Sequence, residues 1–141
     1  MIGATAPLLA LALAAGCIGG DDSGAPARRT RVAEGQTVEI ARLAEGVVGL
    51  CQAGQEAHAD PRVAKATYDA RARAAVDSTA RALQPAYAFQ ASTLTEAAER
   101  VDADFTADGP RSSLVDNLGR LAAAMRESLA RLGIVTRACE K

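Results

Sequence analysis

Apolar residues recur at helical spacing along four stretches of the chain, and the last stretch is the most regular. Its five leucines and one methionine are spaced by 4, 3, 4, 4 and 3 residues, which places them on one face of an α-helix. The pattern predicts a helix that begins at Ser112 or Ser113 and that Gly133 ends. The stripe consists of Leu114, Leu118, Leu121, Met125, Leu129 and Leu132.

The first stretch predicts a helix from about Gln36 to Ala57, with apolar positions spaced by 3, 4 and 3 residues. Gly46, Gly49 and Gly54 lie within it, although glycine is about 1 kcal/mol less favourable in a helix than alanine. We therefore expect a neighbouring helix to approach closely at these glycines. The apolar positions are Ile40, Leu43, Val47 and Leu50.

The pair Asp60–Pro61 marks the start of the second predicted helix. An aspartate in this place can accept hydrogen bonds from free backbone amides, and proline suits the first helical position. The helix is expected to extend to about Leu83. Its core-facing positions are predicted to be Tyr68, Ala72, Val76, Thr79 and Leu83.

Pro85 interrupts this pattern and is predicted to start the third helix, which the turn at residues 107–110 separates from the fourth. Four helices joined by short loops predict an all-α fold, a four-helix up-down-up-down bundle. The apolar positions of the third helix are Tyr87, Leu94, Ala97, Val101 and Phe105.

Composition narrows the function classes. The 141 residues carry a net charge of −1, which argues against a nucleic-acid partner because phosphate contacts need a basic excess. The length is that of one domain. The 34 alanines favour closely packed helices, and they bury little area per side chain.

The first 16 residues contain no charge and are predicted to be a signal peptide. The apolar run from Leu8 to Ala15 is far shorter than the roughly 20 residues that a membrane-spanning helix needs. Small residues follow it, as they do at the cleavage site of a secretory signal peptide.

Residues 13–17, Leu-Ala-Ala-Gly-Cys, resemble the lipobox of bacterial lipoproteins, with Gly16 before the cleavage point and Cys17 at the lipidated position. The sequence departs from that pattern at Ala14, where leucine is usual. The resemblance implies export, with a lipid anchor on Cys17 that holds the chain to the extracytoplasmic face of the cell membrane. An anchor of two or more acyl chains is stable. The alternative is an ordinary secretory peptide followed by a chance cysteine.

Residues 17–33 are predicted to be a lipidated cysteine and a flexible tether, which leaves residues 34–141 as the helical domain. The tether is rich in glycine, aspartate, serine, proline and arginine and has no apolar period. Its basic side chains would either contact anionic headgroups or simply solvate the spacer. They are Arg28, Arg29 and Arg31.

If Cys17 is lipidated, Cys51 and Cys139 remain, and an oxidising location allows them to form a disulfide. Metal binding by the two cysteines is the alternative. The disulfide requires Gly133 to reverse the chain, so that residues 134–139 return along the bundle. This C-terminal return tail is expected to cover the core with Ile134 and Val135.

Candidate chemistry is sparse, and neither a catalytic residue nor a cofactor is predicted. Glu96, Glu99 and Asp102 follow one another at i, i+3 and i+6 and form a candidate face for a cation or a partner. The alternative is a solvated face that is paired with Arg100. His58 stands alone at a turn, far from the hydroxyl side chains that a hydrolase would need beside it.

The body also resembles small, functionally uncharacterised helical lipoproteins of high-GC actinobacteria. The resemblance rests on Cys51, the Asp60–Pro61 start, Tyr68, the Leu132–Gly133 helix end and Cys139. Relatives often place two histidines four residues apart in the second helix, where they could hold a metal. This chain has Arg73 and Asp77 at those positions, a pair that stabilises a helix by about 0.3 kcal/mol and forms no metal site.

The sequence therefore predicts a membrane-anchored cell-envelope lipoprotein that is not an enzyme. Its body would be a helical binding or scaffold module for an envelope protein. The alternative is an extracytoplasmic bundle that binds a small molecule or a metal. An exposed apolar patch would favour the first function, and an enclosed pocket with convergent polar groups would favour the second.

Overall fold

The computed structural model describes residues 39–140, which form helices and contain no strand. The signal peptide, Cys17, the tether and the start of the first helix lie outside the described residues. The predicted all-α bundle is confirmed, while the up-down-up-down order of its helices stays a prediction. The helical elements are α1 (residues 39–57), α2 (Pro61–Thr67), a π-helical turn (Tyr68–Ala72), α3 (Arg73–Leu83), α4 (Ala88–Thr106) and α5 (Arg111–Arg131).

The start of α2 is the one that the sequence predicts. Asp60 has an extended backbone, and its side chain accepts a hydrogen bond from the backbone N–H of Arg62 at 2.9 Å. Pro61 is the first helical residue, where its missing N–H leaves no hydrogen bond unmade. The helix therefore begins on local chemistry alone.

The second predicted helix is continuous from α2 to α3, but it contains a π turn that the sequence analysis missed. The N–H of Arg73 bonds to the carbonyl of Tyr68, five residues earlier. The buried positions in this part are spaced by four residues, and three such steps rotate by about 120° in an ideal α-helix. The wider π turn takes up this rotation, so that one face stays buried. The buried residues are Ala64, Tyr68, Ala72, Val76, Thr79 and Leu83.

Helix α4 begins at Ala88, so the prediction that Pro85 starts it is wrong. Pro85 lies in the turn, where the N–H of Tyr87 still bonds to the carbonyl of Leu83 at 2.7 Å. Tyr87 consequently precedes the helix and is exposed instead of facing the core. Further along α4, Leu94, Ala98 and Val101 are buried, while Ala97 and Phe105 pack partly against the core.

Helix α5 ends as predicted at Gly133, which has a φ of 79°. The N–H of Gly133 bonds to the carbonyl of Ala130 at 3.0 Å, and that of Ile134 bonds to the carbonyl of Leu129 at 2.8 Å. These two bonds define a Schellman motif, which satisfies the last carbonyls of the helix. A residue in this left-handed conformation is most often glycine because a Cβ is disfavoured there.

The return tail is present, and it lies along α5. Arg126 donates a hydrogen bond to the carbonyl of Ala138 at 3.4 Å. Ile134 packs against the core, but Val135 is 86% exposed, so the prediction that both cover the core is wrong. In an extended segment, neighbouring side chains point to opposite sides, and only one of the two can face the bundle.

Helix α1 packs closely against the continuous helix from α2 to α3, which we call the rod. The close contacts lie at two of the three glycines of α1. A Cβ at Gly46 would overlap the Cβ of Ala75, and a Cβ at Gly49 would lie 2.8 Å from that of Arg71. At Gly54 the nearest atom, the Cβ of Leu118, would be an ordinary 4.0 Å away. The predicted close approach is therefore confirmed for the first two glycines and wrong for Gly54.

Ion pairs and hydrogen bonds show how α1 runs along the rod. Arg71 binds Glu45 and Gln52, and Thr67 donates to Glu56. Later residues of α1 thus contact earlier residues of the rod, so these two elements run in opposite directions. Among the helices in the described part of the chain, none is both long and apolar enough to cross a membrane.

Candidate functional site

A charged cluster joins α3 to α4 just after the π turn. The guanidinium of Arg73 pairs with Asp77 one turn along α3, and its Nε lies 3.1 Å from Oδ2 of Asp102 on α4. All three side chains are partly exposed. Arg73 therefore links α3 to α4 through Asp102, and its charge is balanced by two carboxylates.

Tyr68 lies beside this cluster and is fully buried. Its ring packs 5.4 Å from that of Phe105, and its hydroxyl has no hydrogen-bond partner in the described part of the protein. Burial raises the pKa of the Tyr68 hydroxyl well above its ordinary value, and the nearby charge of Asp102 adds to the shift. Tyr68 therefore stays neutral at physiological pH and is unsuited to serve as a base.

The three acidic residues of α4 have different surroundings. Asp102 is paired with Arg73, whereas Glu96 accepts a hydrogen bond from Ser92 at 3.3 Å and lies 4.0 Å from Arg100. Glu99 is exposed. Across residues 39–140, no three histidine, cysteine or acidic side chains are grouped as metal ligands would be. This face of α4 is therefore exposed to solvent, and Asp102 at its end is paired with Arg73 of α3.

Cys51 and Cys139 are brought together at a disulfide distance, with Cα atoms 5.9 Å apart across 88 residues of sequence. This separation lies in the range that disulfides adopt. The disulfide requires the chain to reverse at Gly133, and the return tail does bring Cys139 to Cys51.

A cleft of about 370 Å³ lies beside the two cysteines and is open to solvent. Leu50, Val115 and Leu118 supply apolar walls, and His58 and Arg126 stand among the polar groups. His58 is exposed at the turn after α1. The cleft has the volume of a small ligand site, but it lacks the enclosure that such sites usually provide.

Large apolar side chains are exposed at one end of the bundle, which we call the Glu39 end. It comprises the first residues of α1 (39–43), the α3–α4 connection with the first turn of α4 (84–91), and residues 131–135. A Cβ at Gly46 would meet Ala75 of α3 and lie 3.6 Å from the Cε of Met125 on α5, whereas a Cβ at Gly54 would face Leu118, which is earlier in α5. Both α3 and α5 therefore run opposite to α1, so their C-terminal ends and the α3–α4 connection lie at the end where α1 begins.

Phe89 is the most exposed aromatic residue of this end, with 83% of its surface accessible. Tyr87 next to it, Ile40 and Val135 are also exposed. The apolar periodicity predicts a buried position for Tyr87 and no role for Phe89. Residues at i and i+2 cannot share one helix face, and that spacing was the available signal that one of these rings would be exposed.

The opposite end, which we call the Asp60 end, comprises residues 57–63 and 105–112. Its exposed surface is mainly polar or small, and Val63 is its large exposed aliphatic residue. Arg111 donates to the carbonyl of Ala59 at 3.3 Å, which adds to the Asp60 cap. Compared with models of known protein families, with curated proteins and with solved structures, the chain matches none.

Proposed function

We propose that this protein is a cell-envelope lipoprotein, anchored to the membrane through Cys17, whose helical body is a non-enzymatic binding module. The observation that carries the proposal is the exposed aromatic pair at the Glu39 end. The described leucines from Leu43 to Leu129 are at most 5% exposed, yet Phe89 is 83% exposed near Tyr87. Grouped exposed apolar residues in a well-packed body are typical of an interaction surface.

A disulfide between Cys51 and Cys139 is part of the proposal because an exported chain reaches an oxidising compartment. Both cysteines then have a role that is independent of catalysis, and Cys17 is the one left for lipid. The bond would hold the return tail against the cleft wall, so the body keeps one shape in the envelope.

In addition to the surface with the aromatic pair, we propose that a protein partner binds the solvated side of α4 around Glu96 and Glu99. Asp102 is excluded from it because its carboxylate is engaged by Arg73. An envelope protein with a basic surface would complement these two carboxylates.

The experiment combines mass analysis with purification of the full chain from detergent-solubilised envelopes. We expect a lipid adduct that Cys17→Ser removes, and a co-purified envelope protein that the Glu96→Lys, Glu99→Lys double variant loses. Asp116→Lys, at an exposed acid on α5, is the matched control and should retain the partner. A chain without a lipid adduct, or one that carries a stoichiometric metal and no partner, contradicts the proposal.

The cleft beside Cys51 and Cys139 favours a second candidate function, the binding of a small molecule. Its apolar wall and its polar rim suit an amphipathic ligand. Native mass spectrometry of the same purified chain distinguishes the two functions, since a bound small molecule would be lost from a variant with Val115→Arg in the cleft wall.

A further inference from the structure

We propose that the Glu39 end of the bundle docks on the surface of the lipid bilayer, with the Phe89 ring in the boundary between headgroups and acyl chains. The inference rests on the proposed lipid anchor at Cys17, and it names what the exposed aromatic pair contacts. The partner face on α4 is then left free for a protein.

The Glu39 end includes the described residue that lies nearest to Cys17 along the chain. The chain enters the described body at Glu39, and the 21 residues from 18 to 38 separate it from Cys17. A segment of that length spans at most about 75 Å. An anchor on Cys17 therefore holds the body within this distance of the bilayer, so even a weak contact of the Glu39 end is populated by effective concentration.

The exposed side chains of the Glu39 end are apolar or amphipathic. Phe89, Ile40 and Val135 offer apolar surface, while Tyr87 adds a ring with a polar hydroxyl. Amphipathic aromatic residues are the ones enriched where a protein meets the membrane–water interface. Among its described residues, the Asp60 end offers no exposed phenylalanine or tyrosine ring and has Val63 alone as a large exposed apolar residue.

The charge of this end also suits a membrane surface. Arg42 lies at the start of α1 and Arg81 near the end of α3; both are exposed, and neither forms an ion pair within residues 39–140. Glu39 is the nearby acid that offsets one of them. Arginines beside exposed aromatic residues suit an anionic membrane surface, which attracts basic side chains within a Debye length.

A single tryptophan reports the environment of each end because the chain has none of its own. Phe89→Trp places the reporter at the Glu39 end, and Val63→Trp places the matched control at the Asp60 end. The full lipidated chain is reconstituted into vesicles of phosphatidylcholine and phosphatidylglycerol, with and without brominated acyl chains. We expect the emission of the residue-89 reporter to shift to shorter wavelength and to be quenched by the bromines, while the residue-63 reporter shows neither change.

The outcomes separate this inference from the proposed anchor. A chain with a lipid on Cys17 whose residue-89 reporter behaves like the residue-63 reporter overturns the docking and leaves the anchor standing. A chain without lipid whose residue-89 reporter is still quenched contradicts the anchor alone, and one without lipid or quenching contradicts both. Shielding of the residue-89 reporter in native envelopes but not in protein-free vesicles would assign this end to a protein partner and overturn the inference.

Discussion

The two ends of the bundle complete their helices in different ways. At the Asp60 end, two side chains bind backbone groups: Asp60 caps α2, and Arg111 donates to the carbonyl of Ala59, although α5 begins there without a side-chain cap. At the Glu39 end, α4 begins at Ala88, the preceding Tyr87 makes no side-chain capping bond, and the Phe89 ring extends into solvent. Packing differs along α1 in the opposite sense, since α1 approaches its neighbour closely at Gly46, toward the Glu39 end, and has ordinary contacts at Gly54.

The comparison shows that exposed side chains stabilise helix ends at the Asp60 end, whereas at the Glu39 end they are available to contact another molecule. Side chains that satisfy backbone amides are bound to their own helix and offer little to a ligand. The exposed aromatic side chains of the Glu39 end contribute little to the free energy of folding. Substitutions of the exposed side chains should therefore affect stability at the Asp60 end and contacts at the Glu39 end.

The largest effect is expected from the link that straps the return tail of the Glu39 end to the middle of α1. The double variant Cys51→Ser, Cys139→Ser should lose about 4 to 5 kcal/mol of unfolding free energy in the chain-entropy description, because it reopens a closed loop of 88 residues. Urea denaturation measures this. Cys17→Ser is the control, and an equal loss in that variant would contradict the pairing.

A smaller effect is expected from the glycines of α1. Gly46→Ala should destabilise the fold by about 1 to 3 kcal/mol because the added methyl overlaps Ala75. Gly54→Ala is the matched control, and it should stabilise by up to about 1 kcal/mol because the methyl meets an ordinary 4.0 Å contact in a helix interior. Thermal unfolding of the two variants tests the contrast, and equal shifts in Tm would refute it.

The stability of the fold at alkaline pH should report on Tyr68, whose ring packs against Phe105 of the Asp60 end. Its folded pKa is raised by burial, so its contribution is fully present below the unfolded pKa of about 10 and is lost as pH rises above it. We expect a loss of about 1.4 kcal/mol per pH unit from this one group. Tyr68→Phe should remove that loss, whereas Tyr87→Phe, at an exposed site, should retain it; the test is denaturation at a series of pH values.

The smallest effects compare the two ends directly. Asp60→Ala should cost about 1 kcal/mol through the lost cap. Phe89→Ser should change the unfolding free energy by less than about 0.5 kcal/mol because the ring is 83% exposed. Differential scanning calorimetry checks both, and a large loss at Phe89 would mean that the ring supports the fold.

Most helix boundaries could be predicted because their signals are local. The Asp60–Pro61 start, the Gly133 end and the face of the second helix depend on residues within a turn or two of one another. Pro85 was misplaced because a proline suits both a turn and a first helical residue. The π turn was missed because the four-residue spacing of Tyr68, Ala72 and Val76 was taken for an ordinary helix face.

The candidate sites were less predictable because they depend on pairs from different helices. Nothing along α4 indicates that Asp102 pairs with Arg73 while Glu99 does not, since that pairing requires α3 and α4 at a particular rotation. The pairing of Cys51 and Cys139 is predicted from the cysteine count and an oxidising location, and the disulfide distance between them comes from the tertiary structure. Lipidation of Cys17 stays a prediction.

The sequence by itself determined that the described body is helical, where α2 begins and where α5 ends, because hydrogen bonds within one turn and apolar periodicity decide these. Only the tertiary structure decided which glycines are needed, which acid is paired and which aromatic ring is exposed. These properties arise where two helices meet, and the distance between two helices depends on every side chain between them.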